Sequence, residues 1–219
     1  MNKFLKILAK PFHSWTNKRR NSYYKKMQQR LTNTTPTIIA SDCFGGLVYH
    51  NLGLQFTSPT INLYIEKDDF IAFVQHLKEY LDTDIIEIPN SDTPYPMGEM
   101  IYNNIPVRLH FMHYDTFEQA KQKWNERKKR INWNNIYVIL TIESNATQED
   151  ISLFDNLPYN NKLLIVDKNE FNYTHAVTCS VFQKKNYRHG KILDYTSRFS
   201  KKRYMDEIDY VSFLNQPNE

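Results

Sequence analysis

The chain has 219 residues, 41% of them hydrophobic, with 15 Tyr, 13 Phe and 3 Trp, enough apolar material for a packed core, which excludes a disordered chain. No apolar run approaches the roughly 18–20 residues a bilayer span needs, and the two cysteines, Cys43 and Cys179, form neither a disulfide framework nor a closely spaced metal pair. A formal net charge of +4 hides nine basic and no acidic residues within residues 1–41, which leaves 19 basic against 24 acidic residues beyond, so the body is mildly acidic and is not a uniformly basic nucleic-acid binder.

Residues 1–33 read as a basic amphipathic arm, and residues 34–219 as an α/β domain that can carry a small C-terminal subdomain from about 170. In the arm Phe4, Leu8, Phe12 and Trp15 recur at helical spacing beside Ile7, with Lys3, Lys6 and Lys10 between them. Pro11 is expected to interrupt any single helix there. With no small-residue cleavage site, the segment does not read as a secretory signal. Two readings stand: residues 1–30 lie on an anionic membrane surface, or they form a helix docked on the domain itself. Reduced cysteines place the chain in the cytoplasm, with a peripheral position on the inner membrane face if the first reading holds.

Along the body, "TPTIIAS" is a short β-branched run after Pro36 and reads as a buried strand. "GGLVYHNLGL" reads as a helix ending near Gly53, "TINLYI" as a second strand, and "KDDFIAFVQHLKEYL" as an amphipathic helix with Phe70, Phe73, Leu77 and Leu81 on one face. After the short strand "DIIEI", "EMIYNNIPVRLHFMHY" is a hairpin turning at Asn103-Asn104, since Asn tolerates positive φ. Asp115 and Glu118 resemble a capping box opening a helix through about Arg130. "NNIYVILTIE" is apolar on both faces and therefore central to a sheet. The helix "QEDISLFDNL" and the strands "KLLIVD" and "HAVTCSVF" follow, and the Tyr-rich stretch from Tyr187 stays unassigned. The alternation predicts a layered α/β fold with a mostly parallel or mixed central sheet, at least one hairpin and helices on both faces.

Ligands of open α/β sheets sit beyond the carboxyl ends of the strands. Those ends carry Ser41, Asp42 and Cys43, then His110, His113 and Tyr114, then Glu143, Ser144 and Asn145, then Asp167. Gly45 and Gly46 are expected to allow a sharp strand-to-helix turn whose free N–H groups face the cleft, a place for an anionic or carbonyl oxygen. The spacing matches neither GxGxxG nor a Walker A loop, and no cofactor is indicated. A helix N-terminus would lower the pKa of Cys43, while a free Cys is also a small core hydrophobe. Ser41 is either a nucleophile or a turn cap. His113, at the loop, is a candidate acid–base group, and His110 points to the other face, so the pair does not bind one metal. Ala120, Trp124, Arg127 and Ile131 share one helix face, so Arg127 needs an acidic partner, Glu143 or Asp167, or an anionic ligand.

The stretches "SDCFGGLVYHNLGLQFTSPTINL", "YPMGEM", "HFMHYDTFEQAKQKWNERKKRIN" and "LPYNNK" resemble the bacterial family called domain of unknown function 1919 over about residues 35–215. Its members are commonly labelled exopolysaccharide or capsular polysaccharide biosynthesis proteins. Asp42 stands where the family's opening carries a neutral amide. The resemblance implies a setting in surface-glycan assembly rather than a reaction.

Two function classes follow. In the first, a transferase acts on a sugar or acyl donor, with Cys43 or Ser41 as nucleophile or oxyanion-side group, His113 and Glu143 in acid–base work, and Asp42, Gly45, Gly46, His110, Arg127 and Asp167 around the ligand. Tyr49, Tyr95 and Trp124 would stack on a sugar ring. The ligands are a sugar nucleotide, an acyl donor or a glycan precursor. "DTD" at 82–84 falls at a helix end and is a poor match to a glycosyltransferase metal motif. In the second, a non-catalytic peripheral membrane protein binds a glycan-assembly enzyme or precursor. Convergence of Cys43, His113 and a carboxylate in one cleft would favour the first, and their separation the second.

Overall fold

A computed structural model describes residues 3–89, 92–168, 170, 173 and 175–217, with side chains from residue 15 onward. In chain order the elements are α1 (Lys3–Arg30), β1 (Thr37–Ala40), α2 (Phe44–Leu52), α3 (Lys67–Gln75), α4 (Leu77–Asp82), β2 (Ile86–Glu87), β3 (Met97–Tyr102), β4 (Ile105–His110), α5 (Phe117–Lys128), β5 (Ile136–Ile142), α6 (Gln148–Asp155), β6 (Lys162–Val166), β7 (Ala176–Val177) and α7 (Tyr210–Leu214). Three 3₁₀ turns punctuate the segment between β7 and α7.

The main sheet runs β1-β5-β6-β7, parallel at every pairing. Every residue of β1, β5 and β6 is buried, as doubly covered parallel strands require. Side chains alternate between two cores. Ile39, Val138, Leu140, Ile142, Leu164 and Val166 pack against α3, α4, α5, α6 and the hairpin. Ile38, Ala40, Tyr137, Ile139, Leu163 and Ile165 pack against α1, α2 and the C-terminal segment. The chain is thus an α/β fold with helices on both faces of the parallel sheet.

β2, β3 and β4 form a separate antiparallel sheet. The β3–β4 register runs from Met97↔His110 to Tyr102↔Ile105 and closes at Asn103 and Asn104, whose φ values are +49° and +62°. Both central residues of a tight, strand-compatible turn need positive φ, which is why two asparagines sit there.

Several local expectations are corrected. "TINLYI" is not a strand: Asn62 adopts φ +64°, which breaks the extended run, and only Tyr64 pairs, in one antiparallel bridge with His110. The helix expected over 67–81 divides at His76 (φ −127°, ψ 44°), whose ring meets Tyr102 at 5.3 Å. α5 is capped by the Thr116 side chain, which accepts from Gln119 N–H, rather than by Asp115. "HAVTCSVF" pairs over two residues only and then enters a 3₁₀ turn at Ser180–Gln183.

α1 runs through Pro11 as one helix, so the expected break does not occur. A helix-interior proline loses one backbone hydrogen bond and crowds the carbonyl four residues earlier, and this 28-residue helix continues across it nonetheless. The later part of α1 lies on the domain. Tyr24 and Met27 are buried in the second core, Arg30 pairs with Asp209 at 2.7 Å, and Arg20 donates to the carbonyls of Ser200 and Arg198. Trp15 is exposed beneath the Arg19 guanidinium, and Phe4, Ile7, Leu8 and Phe12 fall outside the described side chains. No helix among the described residues is long and apolar enough to cross a membrane.

Candidate functional site

The parallel strands β1, β5 and β6 bring Asp42, Glu143 and Asp167 to one edge of the sheet. Ser41, the first residue past β1, is fully buried and fully used. Its Oγ accepts from Thr141 N–H at 3.1 Å, its carbonyl accepts from Ile65 N–H at 2.8 Å, and its own N–H donates to Ile139. It ties β1 to β5 and to the 58–65 segment.

Burial pushes the Asp42 carboxyl up to about 6. The Phe44 N–H, donating to Oδ1 at 2.9 Å, opposes that rise, the Glu143 charge reinforces it, and the Thr141 hydroxyl favours the charged form. That hydroxyl is buried and closes no hydrogen bond of its own. No cation is among the groups that set this value. A carboxyl of pKa near 6 both donates and accepts protons close to neutral pH.

Glu143 is held by a segment 46–47 residues further along the chain: His189 Nδ1 lies 2.8 Å away, and Gly190 N–H bridges both oxygens at 3.0 and 2.9 Å. Tyr187 comes with that segment. Burial raises its phenol, the Glu143 carboxylate raises it further through hydrogen bonding and charge, and the charges of Asp42 and Asp167 add to the rise. Asp167 Oδ1 is buried without a hydrogen-bond partner. Asp167 Oδ2 accepts from the backbone of Asn145 at 3.1 Å.

The opposite wall starts at Tyr64. Its phenol is raised by burial, by its 2.9 Å bond to Glu66, and by the charges of Asp42 and Glu143. The Tyr64–His110 bridge seats the half-buried His110 ring 5.7 Å from Tyr64 and 6.0 Å from Tyr95. Burial lowers the pKa of His110 and holds it neutral. The strand ends thus gather three carboxylates, with His189 bonded to Glu143 and His110 packed beside Tyr64 and Tyr95. Among the described residues no three His, Cys, Asp or Glu are placed to hold one metal ion.

The other sequence candidates sit elsewhere. The expected lowering of the Cys43 pKa is reversed: burial and then the Asp42 charge push the thiol up to about 12. The helix N–H that would have stabilised a thiolate is occupied by the Asp42 carboxylate. His113 is exposed in the turn after β4, with no described contact to Asp42, Cys43 or Glu143. Gly45 and Gly46 lie inside α2 without positive φ. A Cβ on Gly45 would come within 2.8 Å of the Ala40 Cβ, so close helix–strand packing is its role.

Tyr49 and Trp124 are core residues rather than stacking platforms. The Tyr49 hydroxyl donates to Pro36 and accepts from Ile38 N–H, and Trp124 packs on Phe73 at 6.0 Å. Arg127 meets neither Glu143 nor Asp167. Its guanidinium bonds the Tyr114 hydroxyl at 2.6 Å and the Ile61 carbonyl at 3.3 Å, and lies 5.4 Å from the Phe56 ring.

Sequence reasoning missed Tyr64, Thr141, Tyr187 and His189. Thr141 carries a local signal, a polar residue inside an otherwise apolar central strand. Tyr187 and His189 carry none, because they reach Glu143 only through the return of the C-terminal segment.

A relative from Haemophilus influenzae, printed as an uncharacterized protein, is 33% identical over 216 residues, 98% of this chain and 99% of that protein. The family described as domain of unknown function (DUF1919) matches residues 15–215. With nearly the whole chain covered, this protein belongs to the DUF1919 family.

Proposed function

We propose that the Asp42–Glu143 cleft is the acid–base site of a transferase that acts on a sugar or acyl donor in surface-polysaccharide assembly. The observation that carries this reading is a carboxyl raised to about 6, set between a second carboxylate and the rings of Tyr64 and Tyr187. As carboxylate, Asp42 takes the proton of an attacking glycan hydroxyl. The hydroxyl oxygen bonds to the donor's anomeric or acyl carbon as that carbon's bond to the leaving group breaks, the electron pair passing to the phosphate oxygen of a sugar nucleotide or to the sulfur of an acyl-CoA. Glu143, fixed by Gly190, keeps Asp42 basic enough for that task. Tyr64, Tyr95 and Tyr187 offer faces for a sugar ring. Ser41 and Cys43 have no nucleophilic part in this scheme, since one is locked in the sheet and the other is held as a thiol. The polysaccharide setting is the one the family resemblance implies, with a cytoplasmic location that the basic arm would bring to the inner membrane face.

A second reading is a non-catalytic binder of a glycan precursor in the same cleft. The separation of His113 from Cys43 and the carboxylates favours it. One experiment tests both. Sugar nucleotides, acyl-CoA donors and short acceptor glycans are offered to the native protein, to Asp42→Asn and to Tyr187→Ala. Ligand-observed NMR reads binding, and mass spectrometry reads product. Turnover that disappears in Asp42→Asn while binding persists supports the transferase. Binding lost in Tyr187→Ala with no product from any pair supports the binder. No binding by the native protein to any of them overturns the assignment of the cleft.

A further inference from the structure

Away from the strand ends, α1 and the 194–203 segment border a cavity of about 390 Å³ lined by Arg20, Asp194, Tyr195, Arg198, Phe199 and Arg203. A second cavity of about 360 Å³ adjoins it, shares Arg20, Tyr195 and Arg203, and adds Lys25 and His50. His50 sits in the last turn of α2, whereas Asp42 precedes the first. At about 1.5 Å per residue the nine residues of α2 put roughly 13 Å between the two places.

Three arginines stand against one carboxylate, Asp194, in this wall, so the cavity is net cationic. Among the described residues no carboxylate lies within ion-pair distance of Arg20, Arg198 or Arg203. The two nearby acids are already committed. Asp194 pairs with Arg188 at 2.8 Å, and Asp206 accepts from Tyr24, Tyr210 and the Arg203 backbone N–H. The guanidinium carbons of Arg20 and Arg203 both lie over the Tyr195 ring, at 3.5 and 4.2 Å from its centroid. Arg20 spends two donors on the carbonyls of Ser200 and Arg198, and Arg203 spends one on Leu193. Arg203 Nε is buried with no acceptor at all.

Three guanidinium groups that never lose their charge repel one another across a small cavity, and an anion between them relieves that repulsion. We propose that this cavity binds the phosphate of a phosphate ester, with Arg20, Arg198 and Arg203 around the oxygens and with Tyr195 and Phe199 beside the group that the phosphate carries. Three positive charges match a dianionic phosphate or a pyrophosphate better than a single carboxylate, and the guanidinium fork fits phosphate oxygens two at a time. The ester is either soluble or the headgroup of a membrane lipid, because the cavity opens beside α1, for whose basic N-terminal part an anionic membrane surface is one of two expected settings.

The test is titration with inorganic pyrophosphate followed by isothermal calorimetry, on the native protein, Arg198→Glu, Arg203→Gln and the remote Lys129→Glu. The Arg198 side chain makes no described hydrogen bond to the fold, so its reversal leaves folding intact, which a thermal melt checks. The expected result is binding by the native protein and Lys129→Glu, and at least about a tenfold loss in Arg198→Glu and Arg203→Gln. Absence of binding at millimolar pyrophosphate, or equal binding by Arg198→Glu, overturns the proposal. Sedimentation with phosphatidylglycerol vesicles then separates the sources. Vesicle binding that pyrophosphate displaces and Arg198→Glu weakens assigns the cavity to a lipid phosphate, and vesicle binding indifferent to both assigns it to a soluble one.

Discussion

Asp42 and Glu143 end neighbouring parallel strands, and the charge of Glu143 helps hold the Asp42 carboxyl near 6. Burial is the larger cause, and it acts on folding as well as on chemistry. Folded Asp42 prefers its proton more than unfolded Asp42 does. Its contribution is therefore fully present below the unfolded value of 3.8 and is lost as pH rises through about 6. Asp42→Asn removes the ionised form and keeps an oxygen to accept from Phe44. Relative to the native protein, this variant gains stability between pH 4 and pH 7.5, by about 2–3 kcal/mol at most. Denaturant unfolding at both pH values measures it, and a difference that does not change with pH would refute the raised carboxyl.

Glu143→Gln keeps the shape of the side chain and an oxygen for Gly190, but removes the charge. The Asp42 midpoint then falls below about 6 and stays above 3.8, because burial persists. Carbon-detected NMR titration of the Asp42 carboxyl reads the shift directly. An unmoved midpoint would mean the two carboxylates do not sense each other.

The central strand and the hairpin were readable because their causes are local. β5 is apolar on both faces, and Asn103-Asn104 is one of few pairs that tolerate two positive φ values in sequence. The strand-end rule likewise picked out Asp42, Glu143 and Asp167. What stayed hidden depends on distant chain. The 187–190 segment closes on Glu143, and Tyr64 meets His110 through a single bridge between segments 46 residues apart. Of the two readings left open for Cys43, burial favours the small core hydrophobe over the thiolate. A helix N-terminus attracts one negative charge, and Asp42, one residue earlier, already supplies it.

Cys43 should accordingly behave as a thiol. With Cys179 replaced by Ser, its alkylation by iodoacetamide at pH 8 is expected to run at least about a hundredfold slower than that of a free cysteine. Unfolding in denaturant restores the normal rate. Fast modification of the native protein at neutral pH would contradict the burial that pushes this group to about 12.

Gly45 offers a test of packing rather than of charge. A Cβ at this position meets the Ala40 Cβ at 2.8 Å and Ile38 Cγ2 at 3.4 Å, both on β1. Neither can swing aside, since a Cβ is fixed by the backbone and Ile38 is buried among α2 side chains. Gly45→Ala therefore pushes α2 off the sheet and costs about 1–3 kcal/mol, with Asp42 displaced as the helix start moves. Ala40→Gly removes the nearer obstacle. If the 2.8 Å contact is the cause, the double variant Ala40→Gly/Gly45→Ala is more stable than the sum of the two single changes predicts, by roughly 1 kcal/mol. Strict additivity in urea unfolding would show that the strain lies elsewhere in the helix.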